Sequence, residues 1–563
     1  MTDHDLRAIA EEYWERLLKA SPTFATFVGD HRYDDRIEDL SATYEQQLRE
    51  HWESLHDRVE RIDPAHLSQS EQVTRGLLLA ETRDGIEGID QRLIEFRYDQ
   101  MQGVAVELLQ TVPVLNAPEP DHAWRLVERY RQVPAMLQQA ADRYTAGLAA
   151  GRTPARICLE RTLNVLDGYL ASPLDDDPFT KIPGPASWDG DPAWRDALAE
   201  LARDVVRPAF GVHRATLAER LEPSARDDEH AGLCHLGSDG ESVYATLVRH
   251  HTTLDLSPQE IHDIGLQEAT ELLPREYAEV GGRLFGVTEL ADVFRHLQGD
   301  DSLRYGSAEE IVADAHDGID RARAAMADWF GRLPQAPCNI EPVPDFLAPD
   351  SPSAYYFPPA ADGSRPGTYF VNTWEPTQKN RYEAASVAYH EAIPGHHLQI
   401  AIANELDDVP TFQRQSLSNT AYVEGWGLYA ERLADEMGLY LTDLDRIGML
   451  AADSWRACRL VVDTGLHALG WTRQQAIDFM AKYTPVSIEE LTVEVDRYIA
   501  MPGQALSYKL GQREFFRLRG LAQQQLGDRF DIKGFHDTVL GSGAVSLPIL
   551  GDLVDGWVRS HAA

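Results

Sequence analysis

Cysteine is scarce. Four residues in 563 (Cys158, Cys234, Cys338 and Cys458) are too few and too scattered for a disulfide scaffold or a cysteine-built zinc site. Basic charge is short as well: 52 Lys and Arg, only six of them Lys, face 91 acids, for a formal charge of −39. Each phosphate of a polyanion would meet a repelling field, so nucleic acid is excluded as an expected partner. The ordinary meaning of such acidity is solubility. Long apolar runs are also missing, and none approaches the ~20 residues that a bilayer-crossing helix needs. The opening segment, MTDHDLRAIAEEYWERLLKA, carries acids where a signal peptide carries bases. It reads as the first helix of a cytoplasmic protein.

What is present is helix. Ala, Leu, Glu and Arg dominate long windows, and Leu6, Ile9, Ala10, Tyr13 and Leu17 form one continuous stripe at helical spacing. Ser487 with Glu490 and Thr472 with Gln475 have capping-box spacing, which satisfies orphan N–H groups of a first turn. The least helical stretch is 333–375. There SAYYF (353–357) and GTYFVNT (367–373) flank a Pro- and Gly-rich turn and predict a short β-hairpin. No internal repeat is evident. The expected architecture is mainly α: one catalytic body built from an N-terminal helical half, 1–225, and a second half, 226–563, that carries the small sheet, with a deep cleft between them.

The chemistry concentrates in ASVAYHEAIPGHHLQIAIANEL (385–406). His390-Glu391 followed by His396-His397 resembles H-E-x-x-H, whose histidines stand about one turn apart on one helical face and reach one ion. Here the gap is six residues, about 240° of rotation and ~9 Å of rise on a straight helix, which forbids joint ligation. Pro394 and Gly395 supply a break that could swing His396 back toward His390. His397 is the competing ligand. A third ligand is expected on the following helix, 418–438, where Glu424 sits in an apolar VEGWGLY setting with Gly425 and Gly427 leaving room. Glu431, on the same face two turns on, is the alternative, though an exposed carboxylate is its ordinary reading.

Four segments in this order, HEAIPGHHLQ, YVEGWGLYAE, RLVVDTGLHALGW and RYIAMPGQALSYKLG, resemble a bacterial family labelled domain of unknown function 885. That family looks like a gluzincin-type metallopeptidase. The resemblance implies a largely helical, zincin-like fold and a zinc site, and its H-E-x-x-P-G-H pattern places the second ligand on His396.

Glu391, beside the first ligand, is placed to take a proton from the attacking water and pass it to a leaving amine. An oxyanion needs a donor from another element. By resemblance to the tyrosine that steadies the tetrahedral intermediate in angiotensin-converting enzyme, Tyr498 is favoured, with Tyr508 second. Asp463 and His467, at i and i+4, have the spacing of a hydrogen-bonded pair that would let His467 donate to substrate. Arg456 and Arg459 are candidates for a substrate carboxylate. Tyr369 and Asn372 lie on a strand expected to stand at a sheet edge, where an extended peptide could add. The leading expectation is a zinc-dependent hydrolase acting on a short peptide or peptide-like amide. The alternatives are hydrolysis of a non-peptide amide or ester, and a catalytically idle helical binding protein.

Overall fold

The protein was analysed as a computed structural model that describes residues 3–237, 239–344, 348, 351–359, 365–416 and 418–562. The expected helical dominance holds. The first helix, Asp3–Ala20, buries Leu6, Ile9, Ala10 and Tyr13, with Leu17 packed beside them. Thr472 and Gln475 form a complete capping box, while Ser487 accepts from the Glu490 N–H without the reciprocal bond. Two long helices widen into three π-turns, Ala202–Val206, Leu217–Leu221 and Glu268–Leu272, each just ahead of a proline (Pro208, Pro223 and Pro274). A wider turn relieves the clash between a proline ring and the carbonyl four residues back.

The buried hydrophobic residues described gather in a main core, a second one and a smaller third that joins Leu233–Ile261 to Leu460, Leu506 and Leu510. Residues of the second core run from Tyr98 to Leu221. The main core joins Leu6–Leu78 to helices from Ala269 through Val558. The first three long helices thus pack with the far end of the chain. Among the described residues no helix is long and apolar enough to cross a membrane.

The sheet has three strands, β1 (Cys338–Pro342), β2 (Ala354–Phe357) and β3 (Gly367–Val371), in the order β1-β3-β2. The expected hairpin is there: β2 and β3 are antiparallel, with Tyr356 opposite Tyr369. Residues 360–364 of its turn lie outside the described residues. The strand β1, which the sequence reading does not contain, runs parallel to β3 on its other side. This corrects the edge-strand expectation. β3 is central, both of its hydrogen-bonding edges are taken, and no peptide can add to it.

Two further helices set the frame of the site. Thr420–Glu436 crosses Ser507–Leu526 at a glycine pair so close that a Cβ on Gly425 would stand 2.4 Å from Gly511 Cα. A Cβ on Gly511 would stand 1.9 Å from the Ala421 carbonyl oxygen. Only glycine permits that approach.

Candidate metal centre

The helix Ala384–Glu391 ends at Glu391, and a new helix, His396–Asn404, starts after four intervening residues. The link between them is tight. A Cβ on Gly395 would lie 1.9 Å from the His390 carbonyl oxygen and 2.4 Å from that of Tyr389. The Trp426 indole N–H donates to the Pro394 carbonyl at 3.0 Å and holds the link from the neighbouring helix. The break turns His396 back on His390, so that their ring centroids stand 4.6 Å apart with the planes at 86°.

Glu424 completes the group. Its Oε2 lies 3.5 Å from Nε2 of His390 and 3.5 Å from Nε2 of His396. Those gaps are long for hydrogen bonds. They match the edge of a tetrahedron of ligands with bonds of 2.0–2.2 Å, about 3.3–3.6 Å. Gly427 leaves space for one ligand: a Cβ there would come within 2.7–3.0 Å of the His390 ring. A second group of possible ligands among the described residues, His31, Asp34 and His122, has a different geometry. Its two imidazoles are stacked 4.3 Å apart at 9°. An imidazole lone pair lies in the ring plane, so two parallel planes offer no common point for an ion.

Glu431 belongs to the site but not as a ligand. It is 1% exposed and accepts a 2.7 Å hydrogen bond from Nδ1 of His390 on one oxygen. The Ser386 hydroxyl donates to the other at 2.5 Å. The expectation of an exposed carboxylate is thus corrected. A carboxylate on the far nitrogen fixes the ring's tautomer and leaves Nε2 free for an ion. Glu431→Gln is expected to weaken metal binding by about 10–100-fold, measured by competition with a chromophoric chelator. Unchanged affinity would show that Glu431 has no part in the centre.

Burial alone would depress the His390 pKa, but the carboxylates of Glu424 and Glu431 pull it up to about 10. Glu424, whose burial would raise it, is held well below the usual carboxylate range by the two imidazoles. His397 faces elsewhere. It accepts from the Tyr356 hydroxyl at 2.9 Å and donates to the Ala336 carbonyl at 3.1 Å, and burial pushes it down to about 4. Both of its nitrogens are used, so it does not compete with His396.

Glu391 caps the helix beside His390, half-buried and with no hydrogen bond or ion pair among the described residues. Tyr369 on β3 lies near enough that its hydroxyl, pushed up first by burial, also feels the Glu391 charge. Tyr369 and Val387, one turn before Glu391, line a cavity of about 270 Å³ that extends past Ala384 to Glu383 and Glu490. Asn372 lines it as well, but its side-chain amide is spent on the carbonyls of Ala348, Ser351 and Pro352 and on the Trp374 N–H. Its role there is to shape the loop.

The two candidate tyrosines stand in different surroundings. The Tyr498 hydroxyl accepts from Trp455 and Arg459, each at 2.9 Å, and donates to Glu494 at 2.8 Å, which fills it. The Tyr508 ring lies nearly parallel to His390 with centroids 6.5 Å apart, and among the described residues its hydroxyl has only a 3.5 Å contact from Gln504. Asp463 and His467 do not pair. Asp463 accepts from the Tyr244 hydroxyl and the Gly503 N–H. His467 accepts from the Leu233 N–H and donates to the Tyr498 carbonyl, and burial pushes it down to about 4. The i, i+4 spacing brought them onto one face, but stronger partners on other elements took both side chains, so His467 is a structural residue. Arg456 and Arg459 stand with their Cζ atoms 5.7 and 4.5 Å from the Tyr508 ring centroid.

Solved structures share this arrangement of the chain. One from Colwellia psychrerythraea, described as a "putative lipoprotein", superposes with a TM-score of 0.90 at 27% identity over 99% of each chain. Another from Shewanella oneidensis, described as a "putative lipoprotein of unknown function", matches at 0.75 and 18% identity over 97% of this chain and 98% of its own, a likeness of fold alone. These descriptions overturn the cytoplasmic expectation. That expectation rested on charge and helical spacing near the N-terminus, which report how a segment packs and not where a protein resides. No curated protein matches. The family described as bacterial protein of unknown function (DUF885) matches residues 22–554, and the chain belongs to that family.

Proposed function

We propose that this protein is a zinc-dependent, zincin-like hydrolase of peptide or peptide-like amide bonds. One observation carries the reading: Oε2 of Glu424 lies 3.5 Å from Nε2 of both His390 and His396, the length of a tetrahedron edge, and a ligand atom from each of the three residues lies within 4.8 Å of the other two. Two imidazoles and one carboxylate are a donor set suited to a catalytic zinc with one position left open. A divalent ion there supplies Lewis-acid chemistry, polarising a carbonyl and acidifying water.

The chain's own residues do the rest. Glu391, unpartnered at the helix end, takes the proton of the attacking water and returns it to the departing nitrogen. Tyr508, with spare hydrogen-bonding capacity above His390, donates to the oxygen on which negative charge develops. The cavity walled by Tyr369 and Val387, which lies one helical turn from Glu391, receives the substrate chain.

Metal analysis of zinc-dialysed protein, paired with a peptide-library digest with and without chelator, tests the reading. The expected result is one ion per chain, a higher melting temperature with zinc, cleavage that stops on chelation, and recovery on adding zinc back. Chelator-resistant cleavage, or protein that binds no ion, would overturn it.

A further inference from the structure

We propose that Arg456, backed by Arg459, binds the free C-terminal carboxylate of a peptide, so that cleavage begins from that end. This rests on the hydrolase reading and adds a direction to it.

Arg456 keeps a buried, unpartnered nitrogen, as Arg321 and Arg414 do, but it alone of the three stands against the Tyr508 ring. It forms no ion pair among the described residues, its Nε is buried without a hydrogen-bond partner, and its one bond is a 3.4 Å contact from Nη1 to the Ala452 carbonyl. Arg459, one turn on, is 3% exposed. Its Nε and Nη2 are held by the Tyr498 hydroxyl and Glu494, but its Nη1 is also buried and unpartnered. Glu494 does not serve Arg456, because Arg459 and Arg497 share that carboxylate. The other acids that sense the Arg456 charge, Glu383 and Glu490, stand beyond ion-pair distance, and Asn380 occupies Glu383.

A buried donor without an acceptor costs more than a made bond returns, so such groups imply an acceptor that arrives from outside. A planar guanidinium fork fits a carboxylate. Position supports the same ligand. The Tyr508 ring centroid is 6.5 Å from the His390 ring and 5.7 Å from the Arg456 Cζ. At about 3.5 Å per extended residue, those steps span a leaving group of at most about three residues. An interior amide of a long chain would bring no charge to this place.

The test uses zinc-loaded full-length protein and N-acetylated tripeptides in matched pairs, one ending in a free acid and one in an amide. The expected wild-type preference for the acid is about 100-fold in kcat/KM, expressed mainly in KM. Arg456→Gln should bring the acid-to-amide ratio near one, and Arg456→Lys should restore part of it. Equal rates for acid and amide in the wild type would overturn the proposal. So would an Arg456→Gln protein that loses both in parallel, the mark of a structural role. Should no peptide be cleaved, the hydrolase reading fails separately, and calorimetry on the same pairs decides the subsite. Acid binding at least tenfold tighter than amide supports it, and equal binding overturns it.

Discussion

Replacing Glu391 with glutamine should lower kcat by about 10²–10⁴-fold while the metal stays bound and KM changes little. The argument is geometric. Glu391 follows a ligand directly, ends its helix, and has no partner among the described residues that would commit its carboxylate to structure. Glutamine keeps the shape and removes the basicity, so His390, His396 and Glu424 should keep their 3.5 Å spacing. Glu424→Gln should behave differently, because it weakens a ligand and should cost the metal itself. Metal content measured beside single-turnover rates separates the two variants. An active Glu391→Gln protein would remove the proposed general base, and a Glu391→Gln protein without metal would mean that Glu391 is a ligand after all.

Gly395→Ala should damage the proposed centre with a single methyl group. Its backbone angles, φ −83° and ψ −126°, do not require a left-handed conformation; space is what the alanine lacks. The added carbon would sit 1.9 Å from one carbonyl oxygen and 2.4 Å from another, both backbone atoms that cannot rotate aside. The link must open, and His396 must move away from His390 with it. Overpacking usually costs 1–3 kcal/mol, and two fixed oxygens place this case at about 3 kcal/mol or above. Metal affinity should fall by more than 100-fold in whatever protein still folds, since a ligand displaced by an ångström no longer meets the other two. Urea unfolding and zinc titration, run together, read both effects. Gly520→Ala, in the long C-terminal helix with nothing within 4 Å of the added carbon, is the control and should gain a few tenths of a kcal/mol. If Gly395→Ala matched that control in stability and in zinc affinity, the tight link would not be what builds the centre.

The sequence made the centre legible because its signals are local. Pro394-Gly395 announces a break within eight residues of three histidines, and a carboxylate in an apolar stretch announces a partner. Relations between distant elements were not legible. Glu431 stood out by spacing, but its burial depends on Ser386 and His390, which approach from another helix. The choice between Tyr498 and Tyr508 turned on which hydroxyl Glu494, Arg459 and Trp455 had already filled. β1 was invisible because a parallel partner in a short sheet leaves no turn signature, and its presence moved β3 from edge to centre. Helical content was plain from periodicity, whereas the way Leu6–Leu78 joins the far end of the chain was not.

The glycine crossing of the 420–436 and 507–526 helices bears on motion. Two backbones in contact there cannot slide or roll past one another, since any shift would drive Gly425 into Gly511. Glu424 precedes one of these glycines by a single residue and Tyr508 precedes the other by three. Ligand and tyrosine are therefore riveted to one rigid block and keep their mutual distance whatever else the molecule does.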